Sequence, residues 1–207
     1  MNTPKLPKII GLTGKKGSGK DTLANYLIKK YNYTRLAFAD PLKDSCKIIF
    51  GLTNEQVHGN KKEEIDPYWN ITPRKILQFV GTELYREKIG ELLPNVGKNI
   101  WVNVIDRKLQ ENLENKYVIT DIRFQNELDL VKKYNGKIIK INREKNQKQE
   151  YIRSANAVQQ EHVPVEYDQH VSENYIDDLK SDYIIYNNSS IPELYELFEQ
   201  NFKNYSE

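Results

Sequence analysis

Three glycines and three lysines fall within the seven residues from Gly14 to Lys20. They fit the pattern G-x-x-x-x-G-K, in which glycines adopt backbone angles that side chains forbid and successive N–H groups curl around a phosphate chain. The lysine then reaches the outer phosphates. A glycine-rich turn with solvated lysines explains this concentration less well, so the segment predicts a nucleoside triphosphate site. Its candidate residues are Gly14, Lys15, Lys16, Gly17, Ser18, Gly19, Lys20, Asp21 and Thr22.

One position of this phosphate loop (residues 14–22) departs from the pattern. Asp21 follows Lys20 where a serine or threonine usually binds magnesium, and Thr22 comes next. Carboxylate oxygens are good magnesium ligands, so we predict that Asp21 binds Mg²⁺ directly or through water. The alternative is that Asp21 is only a negative charge at a helix N-terminus.

Arginine is scarce in this chain, with seven among the 31 basic residues. Its guanidinium can grip a phosphate with a planar fork, so its placement is informative. A phosphoryl-transfer site needs positively charged side chains at the acceptor phosphate and at the phosphoryl group that is being transferred. Candidates for the acceptor are Arg74, Arg86 and Arg123, and candidates to close over the transferred group are Arg143 and Arg153. An ion pair on its own helix is the alternative for Arg86, and plain exposure is the alternative for Arg153.

Asp121 and Arg123 directly follow a predicted buried strand over residues 117–120. Ligands of open parallel sheets bind at the carboxyl ends of strands. A carboxylate there is costly unless it meets magnesium, a bound hydroxyl or a cation, so Asp121 is a candidate catalytic residue. The other candidate catalytic residues are Lys20, Arg123, Arg143 and Arg153. The three histidines have no metal-binding spacing, and no nucleophile–base pair is recognisable.

The elements that must position these residues alternate between strand and helix. Apolar runs predict one strand that begins at Ile9 and four more strands over residues 33–38, 117–120, 137–141 and 183–186. Helical spacing predicts helices after the phosphate loop, over 40–50, 73–89 and 99–113, after Arg123, and after Ser190 at the end of the chain. The pattern predicts an α/β fold with about five parallel strands and helices on both faces. Residues 51–72 are irregular, and the long polar segment 143–180 is predicted to be a lid.

The predicted helix over residues 73–89 carries a polar stripe at four-residue spacing, which suits a helix that lines a cleft: Arg74, Gln78, Thr82 and Arg86. Gly81 within it costs about 1 kcal/mol relative to alanine, so we expect another group to approach the backbone there. A solvated face with a tolerated glycine is the alternative.

Composition sets the broad class. With 207 residues, 38% of them hydrophobic, the chain has the size of one domain. Its formal charge of +2, with both signs interspersed, argues against a general nucleic-acid binder. The single cysteine, Cys46, excludes an internal disulfide, and no apolar run approaches the roughly 18 residues of a membrane span. We therefore expect a soluble, untargeted protein in a reducing, cytoplasmic setting.

Several segments together resemble the phage-type deoxynucleoside monophosphate kinases of the P-loop nucleotide kinase superfamily. They include G-K-D-T at residues 19–22, A-D-P-L-K-D at 39–44 and R-x-x-x-Q-x-x-G-T-E at 74–83, followed by Arg86 and Trp101. D-x-R-x-x-x-E at 121–127 and H-V-S-E at 170–173 complete the set. Each motif is weak alone, but their order and spacing across nearly the whole chain are specific.

The resemblance implies a three-layer P-loop kinase fold and transfer of the ATP γ-phosphoryl to a deoxynucleoside 5′-monophosphate, with ATP and Mg²⁺ as cofactors. It makes Asp21 a normal variant of the loop, and it places Asn187 and Asn188 near the adenine of ATP and Trp101 near the base or sugar of the acceptor. The implied monophosphate site comprises Asp40, Lys43, Arg74, Gln78, Gly81, Thr82, Arg86, Trp101, Asp121, Arg123 and Glu127.

The resemblance also implies one domain over residues 1–207, with a monophosphate-binding region at about 40–114 and the lid at about 143–180. Its partner is a small-molecule nucleotide, with no nucleic acid and no membrane, and a homodimer is left open. The family raises a viral origin, with the enzyme at work in the host cytoplasm.

Three other interpretations stay open. A phosphomevalonate-type kinase shares the G-K-D start, but the segment 78–82 with Trp101 favours a nucleotide acceptor. A GTP-binding switch would use a guanine-reading motif such as N-K-K-E at residues 60–63, but that motif precedes the Asp121 strand and no D-x-x-G accompanies it. The near-neutral charge disfavours a nucleic-acid-binding ATPase.

Overall fold

The structure is a computed structural model that describes residues 5–94, 96–144, 176–203 and 205. The predicted lid lies mostly outside the described residues, and so do Arg153 and the H-V-S-E motif. The elements in chain order are β1 (Ile9–Thr13), α1 (Lys20–Tyr31), β2 (Thr34–Leu36), α2 (Asp40–Phe50), α3 (Asn54–Val57), α4 (Pro73–Gln78), a π-helix (Phe79–Lys88), α5 (Ile89–Leu92), a 3₁₀-helix (Gly97–Asn99), α6 (Ile100–Glu111), β3 (Tyr117–Ile122), α7 (Gln125–Lys133), β4 (Lys137–Asn142), β5 (Tyr183–Tyr186) and α8 (Ile191–Phe202).

The chain forms two compact units, one of Met1–Arg35 with Lys116–Glu207 and one of Leu36–Asn115. The first unit is built on a five-stranded sheet of order β2-β3-β1-β4-β5. The pairings of β1 with β3, β1 with β4, and β4 with β5 are parallel. The predicted α/β class and five-stranded parallel sheet are confirmed, whereas the division into domains stays a prediction.

Helices cover both faces of this sheet, as its alternating side chains require. On one face, α1 and α8 pack on Ile10, Leu12 and Ile139, with Leu27 and Phe198 fully buried among them. On the other face α7 packs so closely over β1 that a Cβ added at Gly11 would lie 3.2 Å from Val131 and would overlap Ile122. Every residue of β1 is buried, so the strand before the phosphate loop is the centre of the core.

The second unit is helical and has its own small core of Cys46, Leu52, Val57, Ile76 and Val80. The Cys46 thiol is free and buried. Among the described residues, the helices are all too short or too polar to cross a bilayer.

The predicted single helix over residues 73–89 is wrong in its form. Six residues of α-helix are followed by a ten-residue π-helix and then by α5. The expected close approach at Gly81 is confirmed, because an added Cβ would lie 2.6 Å from Cδ2 of Leu42. The Gly81 carbonyl accepts a hydrogen bond from the Trp101 indole, 3.1 Å away. This partner outside the helix offers a physical reason why the regular α-helical bonding is not kept there.

Smaller corrections concern the ends of elements. The irregular stretch 51–72 contains α3, which begins at a capping box between Thr53 and Gln56. Helix α2 begins at Asp40 as predicted, and its N-cap is Ala39. Strand β3 runs two residues further than predicted and includes Asp121. The last helix begins after Ser190 as predicted, and Ser190 Oγ caps it by accepting from the Glu193 amide at 3.4 Å.

Candidate active site

The phosphate loop joins the buried strand β1 to α1. Its glycines all have positive φ, 139° at Gly14, 79° at Gly17 and 112° at Gly19. Residues that carry a side chain rarely adopt these φ angles. The expectation that the glycines are needed for the backbone conformation of the loop is therefore confirmed. The loop ends at the N-terminus of a twelve-residue helix, whose free N–H groups and dipole favour an anion.

Close packing holds the loop on the ends of the neighbouring strands. A Cβ at Gly14 would overlap the Ile141 carbonyl, and one at Gly19 would overlap the side-chain amide of Asn187. That amide is buried and donates to the Ser18 carbonyl at 2.8 Å. The backbone of Asn187 in turn donates to the Asn142 carbonyl at 2.7 Å. The loop therefore rests on β4 and on the residue that follows β5.

The two asparagines expected near adenine thus already have protein partners. The side-chain amide of Asn187 is bonded to the loop, and Asn188 Oδ1 accepts from the Glu144 amide at 2.9 Å. An adenine contact by either residue stays a prediction. The bond from Asn187 to the loop has no local sequence signal, because the partners are 169 residues apart.

The lysines of the loop differ in surroundings. The Lys20 ammonium donates to the carbonyls of Gly14, at 2.7 Å, and Lys15, at 2.9 Å, so it lies over the loop. Lys15 and Lys16 are exposed, and Lys15 forms an ion pair with Asp177 at 2.9 Å. That pairing lowers the pKa of the Asp177 carboxyl. The Lys20 ammonium over the loop and the exposed ammonium groups of Lys15 and Lys16 are well placed to bind a polyphosphate.

The buried hydroxyl of Ser18 indicates whether the loop can bind a phosphate. Its side chain is 3% exposed, and Oγ has no hydrogen-bond partner within the described residues. A buried hydroxyl normally has a partner, and a phosphate oxygen in the loop would supply one. Together with the positive-φ glycines, this fits a phosphate group.

The proposed magnesium position lies at the start of α1. Asp21 is exposed in the first helical turn, and Thr22 beside it is half-buried. Across the described residues there is no cluster of three or more metal-binding side chains. Magnesium is commonly held by one or two carboxylates together with substrate phosphates, so a single aspartate beside a phosphate loop fits the ion.

Asp121 and Arg123 lie at the carboxyl end of β3, next to β1 and its loop. The Thr13 hydroxyl, immediately before Gly14, donates to the Ile122 carbonyl at 2.9 Å. Glu127 is buried, and its carboxylate accepts from the amides of Arg123, at 2.9 Å, and Phe124, at 3.3 Å. Glu127, expected to touch the monophosphate, is thus bonded to the backbone that carries Arg123. The first unit therefore brings Asp121 and Arg123 to the phosphate loop.

Arg143 follows β4 directly and is exposed. Arg153, its proposed companion over the transferred group, lies outside the described residues. The role given to these two arginines stays a prediction.

The second unit holds the other proposed acceptor residues. Asp40 and Lys43 lie in the first turn of α2, and the Lys43 ammonium is 3.5 Å from Nδ1 of His58. Burial and, next, the charge of Lys43 lower the pKa of the His58 imidazole. Arg74 is paired with Glu63. The four stripe residues, Arg74, Gln78, Thr82 and Arg86, are each half-buried.

Trp101 is a buried residue of the second unit, with 6% of its side chain exposed. Its indole bonds to the Gly81 carbonyl, and its ring lies 5.3 Å from that of Tyr85. These contacts give Trp101 a packing role in the unit, and the predicted contact with base or sugar stays a prediction.

The comparisons with known proteins agree with this picture. The family model of deoxynucleotide monophosphate kinase matches residues 8–66 and 52–198. A protein of Acanthamoeba polyphaga mimivirus, provisionally named deoxynucleotide monophosphate kinase, is 42% identical over 142 residues, with 65% of this chain and 74% of that protein covered. The deoxynucleoside-5′-monophosphate kinase of Escherichia phage T5 is 26% identical over 188 residues, with 61% of this chain and 72% of that protein covered.

Among solved structures, a shikimate kinase from Acinetobacter baumannii in complex with shikimate matches with a TM-score of 0.49 and 15% identity, over 99% of this chain and 97% of that one. A likeness at this level carries no conclusion about function.

A parallel α/β sheet with a glycine-lined loop between its central strand and a helix defines a phosphate-loop nucleotide-binding protein. Within that class, the chain belongs to the deoxynucleotide monophosphate kinase family, whose model matches most of its length. The relatives named above are viral proteins.

Proposed function

We propose that this protein transfers the γ-phosphoryl group of ATP to a deoxynucleoside 5′-monophosphate, giving ADP and the deoxynucleoside diphosphate, with Mg²⁺ as cofactor. One observation above all supports this. The Thr13–Ile122 hydrogen bond joins the last residue of β1, directly before the phosphate loop, to the end of β3, which contains Asp121 and is followed by Arg123. A triphosphate in the loop and a second phosphate on Arg123 would then belong to the same edge of the sheet.

On the donor side, the backbone N–H groups of residues 14–22 and the Ser18 hydroxyl would bind phosphate oxygens. Lys20 would leave the carbonyls it now binds and turn its ammonium to the β- and γ-phosphates. Asp21 would hold magnesium, which when bound neutralises charge on the phosphates. Asn187 keeps the loop in shape through the Ser18 carbonyl.

On the acceptor side, Arg123 would orient the monophosphate by a two-pronged pair of hydrogen bonds. An oxygen of that phosphate attacks the γ-phosphorus, a new P–O bond forms, and the bond to the β-phosphate oxygen breaks with ADP as leaving group. The protein supplies positioning, to which Asp121 would also contribute, and positive charge, to which Arg143 and Arg153 would contribute. Lys43, Arg74, Gln78, Thr82 and Arg86 are the proposed acceptor residues of the second unit.

An assay with a panel of acceptors tests the proposal. The protein is incubated with ATP, Mg²⁺ and each of the four common deoxynucleoside monophosphates or their ribose counterparts, and ADP and nucleoside diphosphate are measured together. We expect ADP to appear only with an acceptor and in equal amount to the new diphosphate. ATP hydrolysis that does not need an acceptor would contradict the proposal and favour an ATPase or a switch.

Two variants connect the activity to the residues. Lys20→Ala should nearly abolish turnover. Arg123→Ala should chiefly raise the acceptor KM by roughly 10- to 100-fold, the value of a charge-assisted hydrogen bond of about 1.5–3 kcal/mol. Arg107→Ala is the matched control, because Arg107 is exposed on α6 and outside the proposed set. If Arg123→Ala behaves like Arg107→Ala, the acceptor is not on Arg123.

A further inference from the structure

The peptide group between Ile122 and Arg123 is held on both sides by buried side chains. Its carbonyl accepts from the Thr13 hydroxyl at 2.9 Å, and its N–H donates to the Glu127 carboxylate at 2.9 Å. Thr13 is fully buried, and Glu127 is 2% exposed. Both polar atoms of one peptide are thus fixed by side chains from different elements, β1 and α7.

This peptide is also where the regular pairing of β1 with β3 is interrupted. Gly11 pairs with Ile119, but Thr13 pairs with Ile122, so two steps along β1 correspond to three along β3. The additional residue makes a bulge in β3, and a bulge redirects the side chains that follow it. Regular ladder bonding does not set the direction of the chain after a bulge, so other groups must do so.

Thr13 and Glu127 are suited to that task for different reasons. Thr13 is the residue before Gly14, so its hydroxyl connects the start of the phosphate loop to the bulged turn. Glu127 bonds the next two amides, those of Arg123 and Phe124, where α7 begins. Rotation of the peptide would therefore break bonds at both of its atoms.

We infer that Thr13 and Glu127 are positioning residues, which clamp the Ile122–Arg123 peptide and so set the direction of the Arg123 side chain relative to the phosphate loop. The inference rests on the proposed function in that Arg123 is taken to bind the acceptor phosphate. It adds Thr13 to the candidate site and gives Glu127, which was expected to touch the monophosphate, a role that acts through Arg123.

Kinetics of Thr13 variants in two backgrounds test the clamp. Thr13→Val keeps the shape and removes the donor, and Thr13→Ser is the matched control that keeps the hydroxyl. We expect Thr13→Val to raise the acceptor KM about five- to tenfold with little change in the ATP KM, and Thr13→Ser to stay within about twofold of the wild type. In an Arg123→Ala background, Thr13→Val should have no further effect on the acceptor KM.

Two results would overturn the inference: an unchanged acceptor KM in Thr13→Val, or the same increase with and without Arg123. The second would show that Thr13 does not act through the arginine. Thermal unfolding of each variant shows whether it is folded at the temperature of the assay.

Amide hydrogen exchange of the nucleotide-free protein separates this inference from the proposed function. The clamp predicts that the Arg123 amide is protected in the wild type and exchanges faster in Glu127→Gln and in Thr13→Val. If the wild type phosphorylates no nucleoside monophosphate but shows this protection, the proposed function fails and the clamp stands. An unprotected Arg123 amide in the wild type would refute the clamp, whether or not the protein is an active kinase. This measurement uses only the wild-type protein, so it does not depend on whether any variant folds.

Discussion

Replacement of Gly19 by alanine should reveal how strongly Asn187 holds the phosphate loop. Gly19 has φ of 112°, so alanine there carries backbone strain of about 1–2 kcal/mol. The new Cβ would also overlap the Asn187 amide and displace it from the Ser18 carbonyl. A buried carbonyl without its partner costs about 1–3 kcal/mol. We therefore expect Gly19→Ala to lower the free energy of unfolding by about 2–5 kcal/mol.

Gly17→Ala is the matched control for this experiment. Gly17 also has positive φ, 79°, but a Cβ there would meet no atom within 4 Å among the described residues. It should lose only the strain, about 1–2 kcal/mol. Urea unfolding followed by circular dichroism measures both costs, and titration with ATP measures whether the loop still binds.

A double-mutant cycle with Asn187→Ala isolates the contact itself, since φ differs between the two glycines. Once the Asn187 side chain is removed, Gly19→Ala meets no amide and should cost only the strain. The two substitutions should then fall short of additivity by about 1–3 kcal/mol. If their costs add to within about 0.5 kcal/mol, Asn187 does not support the loop at Gly19 and the reasoning is wrong.

Three further predictions concern the metal, the pH dependence of stability and the second unit. Asp21→Ala should weaken magnesium-dependent turnover far more than ATP binding in EDTA, and equal losses in the two assays would show that Asp21 is only a helix-terminal charge. Hydrogen bonds from Lys30, Tyr26 and Tyr31 lower the pKa of the Glu199 carboxyl. The ionised carboxylate therefore stabilises the folded protein fully above the unfolded glutamate pKa of about 4.3, and this contribution is lost as the pH falls through the lower folded-state pKa. Glu199→Gln should thus cost about 1 kcal/mol at pH 7, a small value because both charges are partly exposed, and the difference from the wild type should vanish in acid unfolding curves. Trp101→Phe keeps an aromatic side chain but removes the N–H donor to the Gly81 carbonyl and part of the ring, and it should cost at least about 1–3 kcal/mol in thermal unfolding. An unchanged stability would show that the indole bond does not stabilise the second unit.

The features that were predictable from the sequence are those encoded within a few neighbouring residues. The glycine spacing of the phosphate loop predicted its positive φ angles, and the apolar run Tyr183–Tyr186 is a strand with the expected ends. The last helix begins directly after Ser190, as predicted. Local backbone geometry and capping follow from local residue types, so one sequence is enough to find them.

What escaped prediction depends on residues far apart in the chain. The Thr13 hydroxyl bonds a carbonyl 109 residues away, and a buried threonine at the end of an apolar strand was the only signal for it. The π-helix has the apolar spacing of an ordinary helix, and its contacts with Leu42 and Trp101 come from other helices. Such features are set by tertiary packing, which periodicity does not record.

The π-helix changes the angular positions that the four residues of the polar stripe take around the helix axis. A step of four residues overshoots one full turn of an α-helix, which holds 3.6 residues, but falls short of the wider turn that i→i+5 bonding makes. From Arg74 to Gln78 the chain winds in the α form, and from there through Thr82 to Arg86 it winds in the π form. The angular drift of the first step is therefore reversed by the later ones, and four side chains that would spiral away around a uniform α-helix stay in register along one line.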